Sequence, residues 1–305
     1  MVKKRPVRRS KSRRGVILAK YRRWTIFAAA VVVLVLIDYS ILLILPNYRT
    51  MWVPDDTLGY RNCPNANSID YSRLLHDGRV INYFTGECGE RVSSIDAVSD
   101  FRRPLIVCHG DSFTFGQGVP WEETFPAVLG RLLGSRASIV NFGVAGYTAY
   151  QSGLFLEETY ALFHPAIAVF QINANDDDPE MPVRDLFNLP FPLRTRSGQI
   201  VFLVTQLARG IMRADPSRNS LRALQRVLEF SDDHELPLIL VFNNYPPSVT
   251  EEQAARLLRQ HHERFRFVLA NYRREYKQKS GGHLNAKGHA RLAGELAAFI
   301  THIAP

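Results

Sequence analysis

Four short segments carry side chains that fit one reaction. Gly110-Asp111-Ser112-Phe113-Thr114 offers a serine hydroxyl, and Asn141-Phe142-Gly143-Val144-Ala145-Gly146 is a glycine-rich turn with closely spaced backbone N–H groups. Ala174-Asn175-Asp176 supplies a side-chain amide, and Gly281-Gly282-His283-Leu284-Asn285 supplies an imidazole. A hydroxyl, hydrogen-bond donors for a developing oxyanion, and a base are the components of nucleophilic acyl transfer. His109 and His289 read as packing or surface histidines, and Asp111 as a partner for local backbone. No H-E-x-x-H, C-x-x-C or P-loop pattern occurs, so the sequence calls for no metal and no cofactor.

Those segments must be brought together by the elements around them. From Pro104 onward, apolar runs of strand length alternate with helical periodicity. The runs are Leu105–Cys108, Ser138–Phe142, Ile167–Ile172, Leu238–Phe242 and Phe265–Leu269. Phe125, Val128, Leu129, Leu132 and Leu133 recur on one helical face that Gly134 ends. Leu221, Leu224 and Leu228 mark a second helix, and Leu292, Leu296, Phe299 and Ile300 mark a C-terminal one. Strands alternating with helices predict a three-layer α/β/α domain over 104–305 with a five-stranded parallel sheet. Unbroken apolar strands agree, because parallel strands are buried on both faces. In such sheets the working residues lie just past the C-terminal ends of the strands, where Ser112, the glycine turn and Asn175 fall. Residues 179–216 break the rhythm and read as a lid or a plain insertion. Residues 46–103 read as a linker and lead-in segment with strand-like pieces such as Arg79 to Phe84.

The chain has 305 residues, 46% apolar and 22% charged, which excludes a disordered or low-complexity protein. Its formal charge of +9 is local: residues 1–23 hold eleven Lys or Arg and no acid, and residues 46–305 hold 27 cations against 28 acids. A basic nucleic-acid-binding globule is thereby excluded. Next to the tail, Trp24–Leu45 is predominantly apolar with Asp38 as its one charged residue, and 22 residues at about 1.5 Å each span roughly 33 Å, enough for a bilayer core. With no cleavage site after it, the segment is expected to be a transmembrane signal-anchor, tail in the cytoplasm and C-terminal part outside. An oxidising compartment would let Cys63 and Cys88 pair, leaving Cys108 as a small core side chain.

The four segments, in this order, resemble the blocks of the SGNH (GDSL-type) hydrolase superfamily. Gly110-Asp111-Ser112 resembles the first block, its F-T-F-G-Q-G-V extension resembles that of bacterial envelope members, and the lead-in P-D-D-T-L-G-Y-R resembles the one before G-D-S in membrane-anchored members. Asn141 to Thr148 resembles the second block, Ala174-Asn175-Asp176 the third, and His283-Leu284-Asn285 the last. The resemblance implies a flavodoxin-like fold and a serine esterase with Ser112 as nucleophile and His283 as base. The backbone N–H groups of Ser112 and Gly146 and the amide of Asn175 would form the oxyanion hole. One departure stands out: the family places an aspartate three residues before the histidine, and this chain has Ser280 there. A Ser–His dyad oriented by Ser280 or a backbone carbonyl, an acid from elsewhere such as Asp177 or Asp178, and a weak or dead enzyme are the three explanations. The expected substrate is an acyl group, such as acetyl, on an envelope glycan or lipid. O-acyltransfer to an envelope polysaccharide, which would need a multi-span partner, and a non-catalytic binding module are the alternatives.

Overall fold

The computed structural model describes residues 13–41, 51–71, 73–74, 78–101, 104–188, 201–205, 215–243, 245–261, 265–269, 273–278 and 282–303. The chain divides into two units, residues 1–41 and 42–305.

The described part of the first unit is one helix, α1, Arg13–Ile41. Its described apolar side chains, among them Trp24, Phe27, Leu34 and Leu36, are exposed. Among the described residues, no helix is long and apolar enough to cross a membrane. The transmembrane helix expected over Trp24–Leu45 is thus not found there. The described apolar run stops at Ile37 before Asp38, and residues 42–45 lie outside the described part. Fourteen residues reach only about 21 Å.

The second unit begins with a hairpin of β1, Trp52–Asp55, and β2, Gly59–Asn62. Next come β3, Asn67–Asp70, β4, Ile81–Thr85, and β5, Arg91–Val92. The expected strands appear as β6, Leu105–His109; β7, Ser138–Asn141; β8, Ile167–Ile172; β9, Leu238–Phe242; and β10, Phe265–Leu269. The sheet has eight strands in the order β10-β9-β8-β6-β7-β5-β4-β3. β6 to β10 pair in parallel, as the sequence predicts, but β7–β5, β5–β4 and β4–β3 are antiparallel. The five-stranded all-parallel sheet is therefore corrected to a mixed one, because the lead-in segment adds its own strands beside β7.

Alternation along β6 fills both faces. Leu105 and Val107 join a cluster with Phe155, Leu156, Leu224 and Leu228, while Ile106 and Cys108 join Phe125, Leu129, Leu292 and Leu296. The first face is covered by α4, Ala149–Phe163, and α6, Ser220–Asp233; the second by α3, Phe125–Leu133, and α8, Ala286–Ile303. Between these elements lie the short helices α2, Ser112–Phe115, and α5, Val183–Asn188, and the longer α7, Glu251–Gln260. α3 starts on Thr124, whose hydroxyl accepts the Ala127 N–H, and ends at Gly134 as expected. Leu132, placed on its apolar face by periodicity, is instead 49% exposed at the edge of the stripe.

Cys63, Cys88 and Cys108 are all free. The Cys63–Cys88 disulfide is not formed: the Cys63 thiol donates to the neighbouring Pro64 carbonyl and Cys88 is exposed in the turn before β5. Cys108 is fully buried, in the core position expected of it.

Candidate active site

The chain leaves β6 at His109, turns at Gly110 and enters α2 at Ser112. Asp111 caps that helix by accepting the Phe113 N–H at 2.9 Å. The turn is compressed from the side by the loop after β7. A Cβ on Gly143 would lie 2.2 Å from the Phe115 nitrogen, so only glycine fits. The Asn141 amide donates to the Thr114 carbonyl at 2.9 Å, and Val144 N–H to the Gly110 carbonyl at 3.0 Å. Further along that loop, Gly146 is exposed with φ +82°, beside the Tyr60 hydroxyl.

His283 arrives from the other end of the chain. Lys277 and Leu284 form an antiparallel bridge, and Asn285 closes the loop with its amide on the carbonyls of Glu275 and Lys277. The result is direct contact: His283 Nε2 lies 2.7 Å from Ser112 Oγ. With Nε2 accepting the hydroxyl proton, the neutral ring carries its own hydrogen on Nδ1. Ser112 is 7% exposed, and the Phe113 ring packs 4.8 Å from the imidazole. Burial lowers the His283 pKa below its ordinary value, opposed by the negative charges of Asp111 and Asp70 and reinforced by Arg73.

Asn175 is joined to this pair through Asp111. Its Nδ2 donates to Asp111 Oδ2 at 3.2 Å, the same oxygen that lies 3.5 Å from Ser112 Oγ. An amide has two N–H groups, so one remains for another acceptor. Behind it, Asn173 Nδ2 donates to Asp111 Oδ1 at 2.7 Å, Asn243 Nδ2 to Asn173 Oδ1 at 2.8 Å, and Asp176 accepts the Asn173 N–H. Burial raises the pKa of Asp111 in spite of these bonds, and raises that of Asp176 further with the help of the Asp111 charge.

Neither acid offered in place of the aspartate takes that role. Asp177 spends its carboxylate on the N–H groups of Ser220 and Ser248 and the Ser248 hydroxyl, and Asp178 is exposed. Ser280 lies outside the described residues. His109 and His289 are buried away from Ser112, bonded to the Thr159 hydroxyl and the Phe125 N–H; burial pushes both down to about 3. Among the described residues, no group of three or more His, Cys, Asp or Glu side chains is placed to hold a metal ion.

Sequence reasoning missed two groups that build the site from a distance. Arg91 is buried and donates to the carbonyls of Phe115, Gly116 and Val119, tying the end of α2 to the lead-in segment. Gln278 binds the histidine loop. Neither has a local signal, since each is defined by carbonyls remote in sequence.

A serine turned out of a strand end of an α/β/α sheet, with an imidazole nitrogen on its hydroxyl, defines the class of serine hydrolases. The GDSL-like lipase/acylhydrolase family profile matches residues 108–291, more than half of the chain. The chain belongs to that family and is a hydrolase of ester bonds. No curated protein sequence matches it. Similar solved structures include a psychrotrophic esterase from Pseudoalteromonas sp. at 14% identity, covering 65% of this chain and 97% of that one with a TM-score of 0.44. Another is a carbohydrate acetylesterase family member from Sinorhizobium meliloti at 14% identity, 65% and 97% coverage and a TM-score of 0.43. A third is a family 3 carbohydrate esterase from Clostridium thermocellum at 16% identity, 66% and 97% coverage and a TM-score of 0.44.

Proposed function

We propose that the protein is a membrane-anchored serine esterase that removes acyl groups, such as acetyl, from an envelope glycan or lipid outside the cytoplasm. The observation that carries the chemistry is the 2.7 Å contact between His283 Nε2 and Ser112 Oγ. Ser112 Oγ attacks the ester carbonyl while its proton passes to His283 Nε2. The carbonyl oxygen gains the negative charge, received by the N–H groups of Ser112 and Gly146 and the second N–H of Asn175. The C–O bond to the alcohol then breaks, and the imidazolium returns its proton to the leaving oxygen. Water, deprotonated by the same nitrogen, releases the acid from the acyl-serine and restores the hydroxyl.

The location is proposed from the tail of eleven cations beside a predominantly apolar segment. A fluorophosphonate is expected to label the wild-type chain and not Ser112→Ala, with His283→Ala labelled far more slowly. Equal labelling of wild type and Ser112→Ala would end this reading. A C-terminal reporter active only in the cytoplasm would end the proposed location.

A further inference from the structure

The histidine loop lacks the carboxylate that would hold its ring, yet the ring sits on the serine. The loop is held by Gln278. Its backbone N–H donates to the His283 carbonyl at 2.8 Å. Its side-chain Nε2 donates twice, to the Leu284 carbonyl at 2.9 Å inside the loop and to the Gln117 carbonyl at 2.6 Å outside it. Gln117 in turn donates its N–H to the Ser112 carbonyl at 2.9 Å. One amide thus joins the turn carrying the nucleophile to the loop carrying the base. Gly118 makes the room, since a Cβ there would lie 2.4 Å from Gln278 Oε1.

An amide can flip, and a flipped Gln278 would aim an oxygen at two carbonyls. Arg73 prevents this. From the lead-in segment, buried to 6% exposure, its Nη1 donates to Gln278 Oε1 at 3.0 Å. A guanidinium only donates, so the oxygen must face it and both N–H groups must face the carbonyls.

We propose that Gln278, oriented by Arg73, is the positioning residue that keeps His283 in register with Ser112, in place of a carboxylate three residues before the histidine. The proposal rests on the Ser112–His283 reading above. A glutamate at 278 keeps the shape, loses both donors and sets a negative oxygen against the Gln117 and Leu284 carbonyls. Misplacing a catalytic group by about 1 Å costs on the order of 100-fold in rate.

The test measures hydrolysis of p-nitrophenyl acetate by the full chain, together with fluorophosphonate labelling and thermal melting. Gln278→Ala and Gln278→Glu are expected to lower kcat about 100-fold with KM little changed, and to slow labelling in parallel. A merely structural role would lower the folded fraction and leave kcat per folded molecule unchanged. Arg73→Met is expected to lower kcat at unchanged KM, and Arg73→Lys, which restores one donor, to recover most of it. Wild-type kcat in folded Gln278→Ala, or a rise in KM alone, overturns the proposal. If both Gln278 variants fail to fold, the Arg73 pair decides: wild-type kcat in folded Arg73→Met overturns it. The underlying reading fails separately, by undiminished labelling of Ser112→Ala.

Discussion

His109 offers a stability experiment whose sign and size follow from its surroundings. The ring is fully buried, stacked on Phe142 at 5.4 Å and edge-on to Phe155 at 5.3 Å, with the Thr159 hydroxyl 3.0 Å from Nε2. Burial holds its pKa at about 3 against an ordinary 6.5. A histidine depressed on folding contributes stability at pH values above 6.5. That stability drains away as pH falls toward 3, because the unfolded chain takes up a proton that the folded one refuses. At pH 5.0 the proton is bound about 1.5 pH units below the unfolded pKa, worth about 2 kcal/mol; at pH 7.5 the same quantity is near zero. His109→Phe removes the titration while keeping the stack. The Thr159 hydroxyl retains its bonds to the Phe155 and Leu156 carbonyls. Urea unfolding followed by tryptophan fluorescence should show wild type losing about 2 kcal/mol more than His109→Phe between pH 7.5 and 5.0. With an m-value of about 2–3 kcal/mol/M, the midpoints should diverge by roughly 0.7–1 M. Asp111 and Asp176, whose raised pKa values act in the opposite direction, are present in both proteins and cancel in the comparison. Parallel pH dependence of the two proteins would refute the reasoning.

Three further outcomes are expected. Because burial depresses His283 and the neutral ring is the competent base, the labelling rate should stay on its plateau down to about pH 6.5 and fall only below it; an apparent pKa above 7 would contradict this. Gly143→Ala pushes a methyl against the α2 backbone, so it should cost about 1–3 kcal/mol in urea unfolding and at least about 10-fold in hydrolysis; wild-type rates would show that the loop yields freely. In the native protein Cys88 should react with a maleimide first, while Cys108, buried and with its thiol pKa pushed up, should react only on unfolding; early labelling of Cys108 by peptide mapping would show an open core.

The parallel strands were legible because burial on both faces leaves an apolar signature: every residue of β6, β8 and β9 is buried. Of the antiparallel strands β4 was legible, from the strand-like piece Arg79 to Phe84, but β3 was not. β3 reads N-S-I-D, and its buried positions are Ser68 and Asp70 while Ile69 is 39% exposed, the reverse of the usual pattern. Asp70 is tolerated there because the Tyr83 hydroxyl donates to it at 2.7 Å, a partner no local pattern announces. Ser112 and His283 were readable from short motifs at strand ends and do meet. Asn175 was readable too, but not the Asp111 carboxylate that holds it. Arg91, Arg73 and Gln278 are long polar side chains in ordinary-looking segments, and their value lies in backbone groups brought near by the fold. Asp177 had the right type and neighbourhood for an orienting acid, yet the loops at Ser220 and Ser248 claim it.

The antiparallel extension has a consequence for how the chain comes to be folded. β3, β4 and β5 are made before the strand they dock on: β5 meets β7 at Arg91 opposite Asn141, fifty residues later in the chain. At about 5–20 residues per second, several seconds of synthesis separate them. Over that interval the lead-in has only its own short strands for company, and small isolated ribbons are marginal in water. Arg91 cannot enter its buried place until the carbonyls of Phe115, Gly116 and Val119 exist to receive it. The buried seat of Arg91 can therefore be completed only after the serine segment has been made.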